Sequence, residues 1–311
     1  MPSTALLLAL CYFCVPISGQ VVSKGKPNPS QPRVPSFKDG TPLFEKAKAK
    51  QCNSKLAPKI TSFEGDFDVS MNDYSKPGTV TKLKGHIRQY WAKRPRKIGK
   101  ETTFQTAYRR ELSTDLATET QVLSADWDNT CWRQKVLGKK TKKPVYMNNS
   151  KDRQDETNLL AEKRRVNELF GLLLLNQLDL VPDSIKLEAE NQAISIKVGQ
   201  RPFNSLASRL SFSDRRGYSF RLWIDQKTLH PVRAQVRWPK RKNWEQFDLA
   251  QHFEATLPDG KTKIFVPCNI VYYQNGRPTL EATTQYPNKA FRFNGLDEKR
   301  LLQLFPEDED F

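Results

Sequence analysis

Apolar and polar residues alternate along most of this chain with the period of a strand. In residues 60–69, Phe63, Phe67 and Val69 fall on one side and Ser62, Glu64 and Asp66 on the other. Successive strand side chains point to opposite faces, so this run predicts a strand with one apolar face. A break at Lys76-Pro77-Gly78 follows, and residues 80–91 read as a second strand with Leu83, Ile87 and Trp91 on one side. Pro-Gly suits a turn, so the two runs predict a long antiparallel hairpin. Its second arm ends in Lys93-Arg94-Pro95, a basic rim. Residues 102–112 predict a third strand, with Phe104, Thr106 and Tyr108 alternating against charge. Two more strand-like pieces lie in residues 119–136 around the turn Asp126-Trp127-Asp128-Asn129.

The pattern changes at residues 152–178. An acidic start suits a helix N-terminus, and Leu169, Phe170, Leu173 and their neighbours are apolar nearly all round. This predicts a helix buried on more than one side, or covering an apolar cavity. Strands resume after Asp183, at residues 184–189, 193–198, 218–225, 232–238, 247–256, 263–273 and 279–286. The turns Leu257-Pro258-Asp259-Gly260 and Gln274-Asn275-Gly276-Arg277 separate the last three. Shorter helices are expected at residues 43–56 and 297–304. The sum is a mainly β chain: one curved antiparallel sheet with helices on its concave face.

Composition adds the compartment. Residues 6–15 are almost wholly apolar, and Ile17-Ser18-Gly19 precedes Gln20 as a small-residue cleavage site. The run is too short to span a bilayer and predicts a signal peptide over residues 1–19, although no Lys or Arg precedes it. Residues 20–42, rich in Pro, Ser and Lys, read as a disordered linker. Residues 43–306 then form a single domain, and residues 307–311 an acidic tail. No later segment has the length and apolarity of a transmembrane helix.

A formal charge of +17 over 311 residues favours anionic partners such as a membrane surface, and export argues against nucleic acid. The plain alternative is a solvated basic surface. Cys52, Cys131 and Cys268 remain after the signal; they allow one disulfide plus a thiol, or three buried apolar cysteines. These three have no CxxC or Cys/His spacing, so no zinc site is expected.

Catalytic chemistry is not written in the chain. His86, His230 and His252 are its three histidines, and none adjoins a Ser or Cys nucleophile motif. Asp126 and Asp128 read as turn residues rather than cation ligands. Asp66 and Asp68 share a strand face near Lys59 and Lys82, which suits charge pairing better than acid–base work. No cofactor or enzymatic activity is expected. Asn148-Asn149-Ser150 is a glycosylation sequon, with meaning only in a glycosylating host.

Several motifs occur in a familiar order. They are Ile60-Thr61-Ser62-Phe63 leading to Phe67; Gly85-His86-Ile87 running to Arg94-Pro95; Ser124 to Trp132 around Trp127; the Leu-rich stretch 169–178; Phe220 to Asp225 followed by Leu229-His230-Pro231-Val232; and Phe291-Arg292-Phe293. In this the chain resembles the LolA-like family of periplasmic lipoprotein-sorting carriers, with its related outer-membrane receptor and sigma-regulator sensor. The resemblance implies an unclosed half β-barrel, lidded by helices over a cavity that holds lipid or lipoprotein acyl chains. It implies a bacterial cell envelope location and a lid latch at Arg94. Phe63, Phe67, Val69, Leu83, Ile87, Trp91 and Phe104 would then line the cavity from the first half of the chain. Leu169, Phe170, Leu173, Leu222, Ile224 and Val236 would line it from the second. Arg96-Lys97-Ile98 departs from the family, which carries an aromatic residue after Arg-Pro. The same fold serves carriers, receptors and sensors, so a basic envelope protein with a filled interior is the rival expectation.

Overall fold

The computed structural model describes residues 37–51, 61–74, 79–98, 101–115, 117–125, 130–138, 144–148, 181, 184–213, 217–237, 243–274 and 276–304. For 73, 93–98, 101–108, 110, 119, 121–125, 130–136, 144–148, 274, 298 and 302 it describes the backbone only.

A two-residue strand β1 (Lys38–Asp39) and helix α1 (Thr41–Gln51) come first. A meander follows: β2 (Ser62–Asp73), β3 (Thr81–Ile98), β4 (Glu101–Thr114), β5 (Ala117–Ala125), β6 (Thr130–Gly138) and β7 (Pro144–Asn148). The second meander is β8 (Lys186–Val198), β9 (Arg201–Ser213), β10 (Ser219–Asp225), β11 (Pro231–Arg237), β12 (Glu245–Thr256), β13 (Lys263–Gln274) and β14 (Arg277–Thr283). Helix α2 (Pro287–Ala290), strand β15 (Phe291–Phe293) and helix α3 (Glu298–Leu304) close the described chain.

All strands join one antiparallel sheet in the order β1-β8-β9-β10-β11-β12-β13-β14-β2-β3-β4-β5-β6-β7, with β15 also on β2. The path does not return on itself, so among the described residues the sheet is not closed into a barrel. The two meanders meet at a single edge of β2. There β14 pairs with Met71 to Asp68, and β15 pairs with Gly65 to Phe63.

Local chemistry accounts for the turns. Asp259 Oδ1 accepts from the amides of Lys261 (3.0 Å) and Thr262 (2.8 Å), and Gly260 takes φ 67°, where a side chain would strain the backbone. The corner after β10 repeats this device. Asp225 Oδ1 accepts from the amides of Lys227 and Thr228, while its Oδ2 accepts from Ser205 Oγ at 2.6 Å.

Several sequence expectations are corrected. The hairpin arm does not end in a rim at Lys93-Arg94-Pro95: β3 continues to Ile98, with Arg94 opposite Gln105 and Pro95 opposite Phe104. Among the described residues, pairing with β2 stops at Ala92, so Pro95 has a strand neighbour on one side only, a position that tolerates proline. The pieces at 184–189 and 193–198 form one strand, β8, with register shifts on either side of Ala189 and a positive φ of 56° at Asn191. Strand β9 was not expected, because Ser205, Ser208 and Ser211 interrupt its apolar alternation. Lys38 and Asp39, inside the stretch read as linker, pair with β8.

The sheet is apolar on both sides over its second half. On the inner face, Leu210, Phe212, Phe220, Leu222, Ile224, Ala234, Val236, Phe247 and Leu249 pack under Phe44 and Ala47 of α1. On the outer face, the far half of the β8–β9 hairpin lays Ile194, Ile196, Val198, Phe203 and Ala207 against Trp223, Val232, Ala250 and Val271. Trp223 Nε1 donates to Gln192 at 2.8 Å where the hairpin turns over. Asp248, fully buried, has both oxygens taken by Arg233, at 2.5 and 2.7 Å. A charge buried this way is tolerable only while paired.

Candidate functional site

The first half of the inner face is built from the odd positions of β2 and β3. Directly opposite pairs are Phe63 with Trp91, Phe67 with Ile87 and Met71 with Leu83. The even positions of β13, Ile264, Val266 and Cys268, add to it, with Ala255 from β12, Leu257 from the turn after it and Leu112 from β4. Rings fill its centre. Phe291 lies 6.2 Å from Phe63 and 5.4 Å from Phe67, and Phe293 lies 5.1 Å from Phe63, centroid to centroid. Gly65 makes the room: a Cβ there would come within 2.8 Å of the Phe63 ring and 3.0 Å of Phe67. The half-buried Ile270 packs against this cluster and against the one under α1, so the inner face is a single apolar surface.

The site residues expected from sequence distribute over that surface. Phe63, Phe67, Val69, Ile87 and Trp91 are buried together, with Leu83 half-buried against them. Leu222, Ile224 and Val236 are buried in the other half, beneath α1. The side chains of Phe104 and Arg94, and the whole of Leu169, Phe170 and Leu173, lie outside the described residues. Sequence reasoning did not place Met71, Phe253, Ile264, Val266, Ile270, Phe291 or Phe293 in the lining. The alternation Ile264, Val266, Cys268, Ile270, Tyr272 was the available signal for β13.

One guanidinium does meet a helix C-terminus. Arg109 Nη1 donates to the carbonyl of Leu304 at 3.0 Å while its Nε donates to Glu111 at 2.8 Å. It holds α3, whose Leu301 and Leu304 pack with Leu296 on Tyr90 and Ala92.

The end of α1 rests on a histidine pair. The rings of His230 and His252 stack 4.6 Å apart, Phe265 lies 4.5 Å from His230, and Gln51 Oε1 sits 2.9 Å from His230 Nδ1. Burial, with Lys50 nearby, lowers the pKa of His230 to about 4. Burial, with His230 adjacent, lowers that of His252 to about 3. Both rings are therefore neutral in the fold at pH 7. Asp66 and Asp68 engage His86, and Asp66 also engages Arg88 at 3.3 Å; these partners replace the Lys59 and Lys82 that sequence proximity suggested. No group of His, Cys, Asp and Glu among the described residues has the arrangement of a metal site. No helix among them is long and apolar enough to cross a membrane.

The described residues thus define a mostly β protein on one unclosed antiparallel sheet with an apolar inner face. No known family pattern and no curated protein matches the chain. Solved structures similar to it include a Vibrio parahaemolyticus domain described as belonging to an outer membrane lipoprotein-sorting protein (9% identity, TM-score 0.38, 84% of this chain and 95% of that one). A DUF1329 family protein from Desulfovibrio piger is similar at 10% identity and TM-score 0.41, over 83% of this chain and 94% of the other. A LolA superfamily protein from Nitrosomonas europaea is similar at 9% identity and TM-score 0.35, over 84% and 96%.

Proposed function

We propose that this chain is an exported, non-catalytic protein of the bacterial cell envelope that binds or carries lipid or lipoprotein acyl chains. The observation that supports the reading best is the first half of the inner face, an apolar surface closed in its centre by two Phe of a three-residue strand. A buried methylene contributes about 0.8 kcal/mol and a buried Phe about 1.5–3 kcal/mol. A chain of roughly eight methylenes would offset the displacement of both Phe291 and Phe293. The motif order described above points the same way. In this reading residues 1–19 are the signal peptide, residues 43–306 the carrier domain, and the destination the periplasm. Phe104, Leu169, Phe170 and Leu173 complete the lining, Arg94 latches the lid, and no cofactor takes part.

A second reading has its own observation. The rings of Phe63, Phe67, Phe291 and Phe293 already touch, so the interior can be filled by the protein itself. The chain would then be an envelope interaction or sensor protein without lipid transport. Native mass spectrometry of the protein purified from its own envelope separates the two. A co-purified lipid or acylated peptide is expected; its absence under mild conditions, together with no uptake of a fluorescent fatty acid, would leave the second reading. Arg94→Leu is expected to speed release of the bound chain, and unchanged transfer kinetics would remove the latch role.

A further inference from the structure

The outer face carries a second feature that the acyl-chain reading leaves unused. Where β9, β10 and β11 run side by side, three arginines gather; two of them flank the half-buried Trp244, while the other tryptophan here, Trp223, is buried and takes no part in the surface. The guanidinium of Arg221 lies 4.6 Å from the centroid of Trp244, and that of Arg237 lies 5.0 Å from the same ring. Arg237 is anchored by donating from Nη2 to Ser219 Oγ at 3.1 Å. Strand register explains the gathering. Ser219 is opposite Arg237, and Arg221, two residues on, shares its face. Arg209 follows on β9, over Trp223 at 5.8 Å. The counter-charge is Glu188, 2.9 Å from Arg209 Nε and 3.9 Å from Arg221 Nε. Among the described residues these three cations meet one carboxylate, which leaves an excess positive charge. Arg221 keeps 37% of its side chain exposed, and Arg237 is exposed.

We infer that this cation–aromatic patch docks the protein on an anionic phospholipid surface. A guanidinium whose flat face lies on an indole keeps its N–H edges free, and those edges match a phosphodiester bidentately. Trp is the side chain that rests at the bilayer–water boundary, with an apolar body and one polar N–H. The net charge of +17 draws the whole chain to the same surface. The patch does not depend on the inner face; it stands even if that face holds no chain.

The test is co-sedimentation of the whole chain with vesicles. Binding is expected on phosphatidylcholine vesicles containing phosphatidylglycerol, not on phosphatidylcholine alone, and it should weaken as salt rises. Arg221→Gln with Arg237→Gln is expected to lower the partition coefficient about 30-fold, the equivalent of ~1 kcal/mol per cation. Lys261→Gln with Lys299→Gln removes the same charge from exposed positions elsewhere and should change it less than threefold or so. Circular dichroism and the thermal midpoint confirm that each variant is folded. Trp244→Phe should remove most of the fluorescence blue shift seen on vesicles. Equal losses from the two double variants would overturn the patch, because net charge alone would then suffice. So would a double Arg variant that loses heparin binding while keeping its hold on vesicles, which would assign the patch to a soluble polyanion.

Discussion

The two halves of the inner face are closed by different means. Under α1 an eleven-residue helix presses Phe44 and Ala47, both fully buried, into the sheet. Phe44 meets the Phe212 ring edge-on at 5.4 Å, and Gln51 ties the end of the helix to His230. The other half is closed by β15, three residues paired with three of β2. The helix makes a permanent core out of its half. The short strand supplies rings of similar size on a far smaller backbone anchor, so in the proposed carrier its half is the one expected to exchange its own rings for a guest.

The comparison can be broken most sharply at Phe44. Phe44→Ala should cost ~3–5 kcal/mol of stability. It should leave the affinity of the remaining folded protein for a fluorescent fatty acid unchanged; denaturant melts beside a binding titration read both. A large fall in affinity would mean that the two halves act as one site.

Acid should act on the helix-covered half next. Unfolded histidines titrate near 6.5, whereas His230 titrates near 4 in the fold. Between those values the unfolded chain binds more protons, so stability falls as pH falls and levels off once the folded pair protonates. From His230 alone a loss on the order of 3 kcal/mol is expected at about 1.4 kcal/mol per unit, and His252, whose pKa is lowered further, adds to it. His252→Gln should flatten the slope, and an unchanged slope would place the titrating group elsewhere.

The smallest expected effect is at the short strand. Phe293→Ala should cost roughly 1–3 kcal/mol, less than Phe44→Ala because less of the structure is anchored around it. It should raise fatty-acid uptake by opening the space beside Phe63. If uptake falls instead, Phe293 is a contact for the chain rather than a plug.

Much of this architecture was legible in residue patterns. Alternation of Phe63, Phe67 and Val69 against Leu83, Ile87 and Trp91 gave the β2–β3 pairing and its apolar face, since period two leaves no other arrangement. The Pro-Asp-Gly turn was readable from its own chemistry. Strand β9 was hidden because its serines face partners that only the folded hairpin supplies: Ser205 binds Asp225, and Ser208 accepts from Gln226 at 3.1 Å. The continuation of β3 through Pro95 was hidden because, among the described residues, the proline lies past the last pair with β2, a fact of another segment. Phe291 and Phe293 were visible as a closing strand. Their meeting with Phe63 depends on a pairing across more than two hundred residues of chain, as does the hydrogen bond from Asn72 to the carbonyl of Pro278.

That long span has a kinetic meaning. Each meander pairs only with its own sequence neighbours, so each can assemble through short loops. The edge of β2, where β14 brings four residue pairs and β15 three, must instead close a loop of about two hundred residues. Loop-closure entropy makes contacts of that separation slow to form. The join between the meanders is therefore expected to be the late step of folding, with each half pairing within itself first.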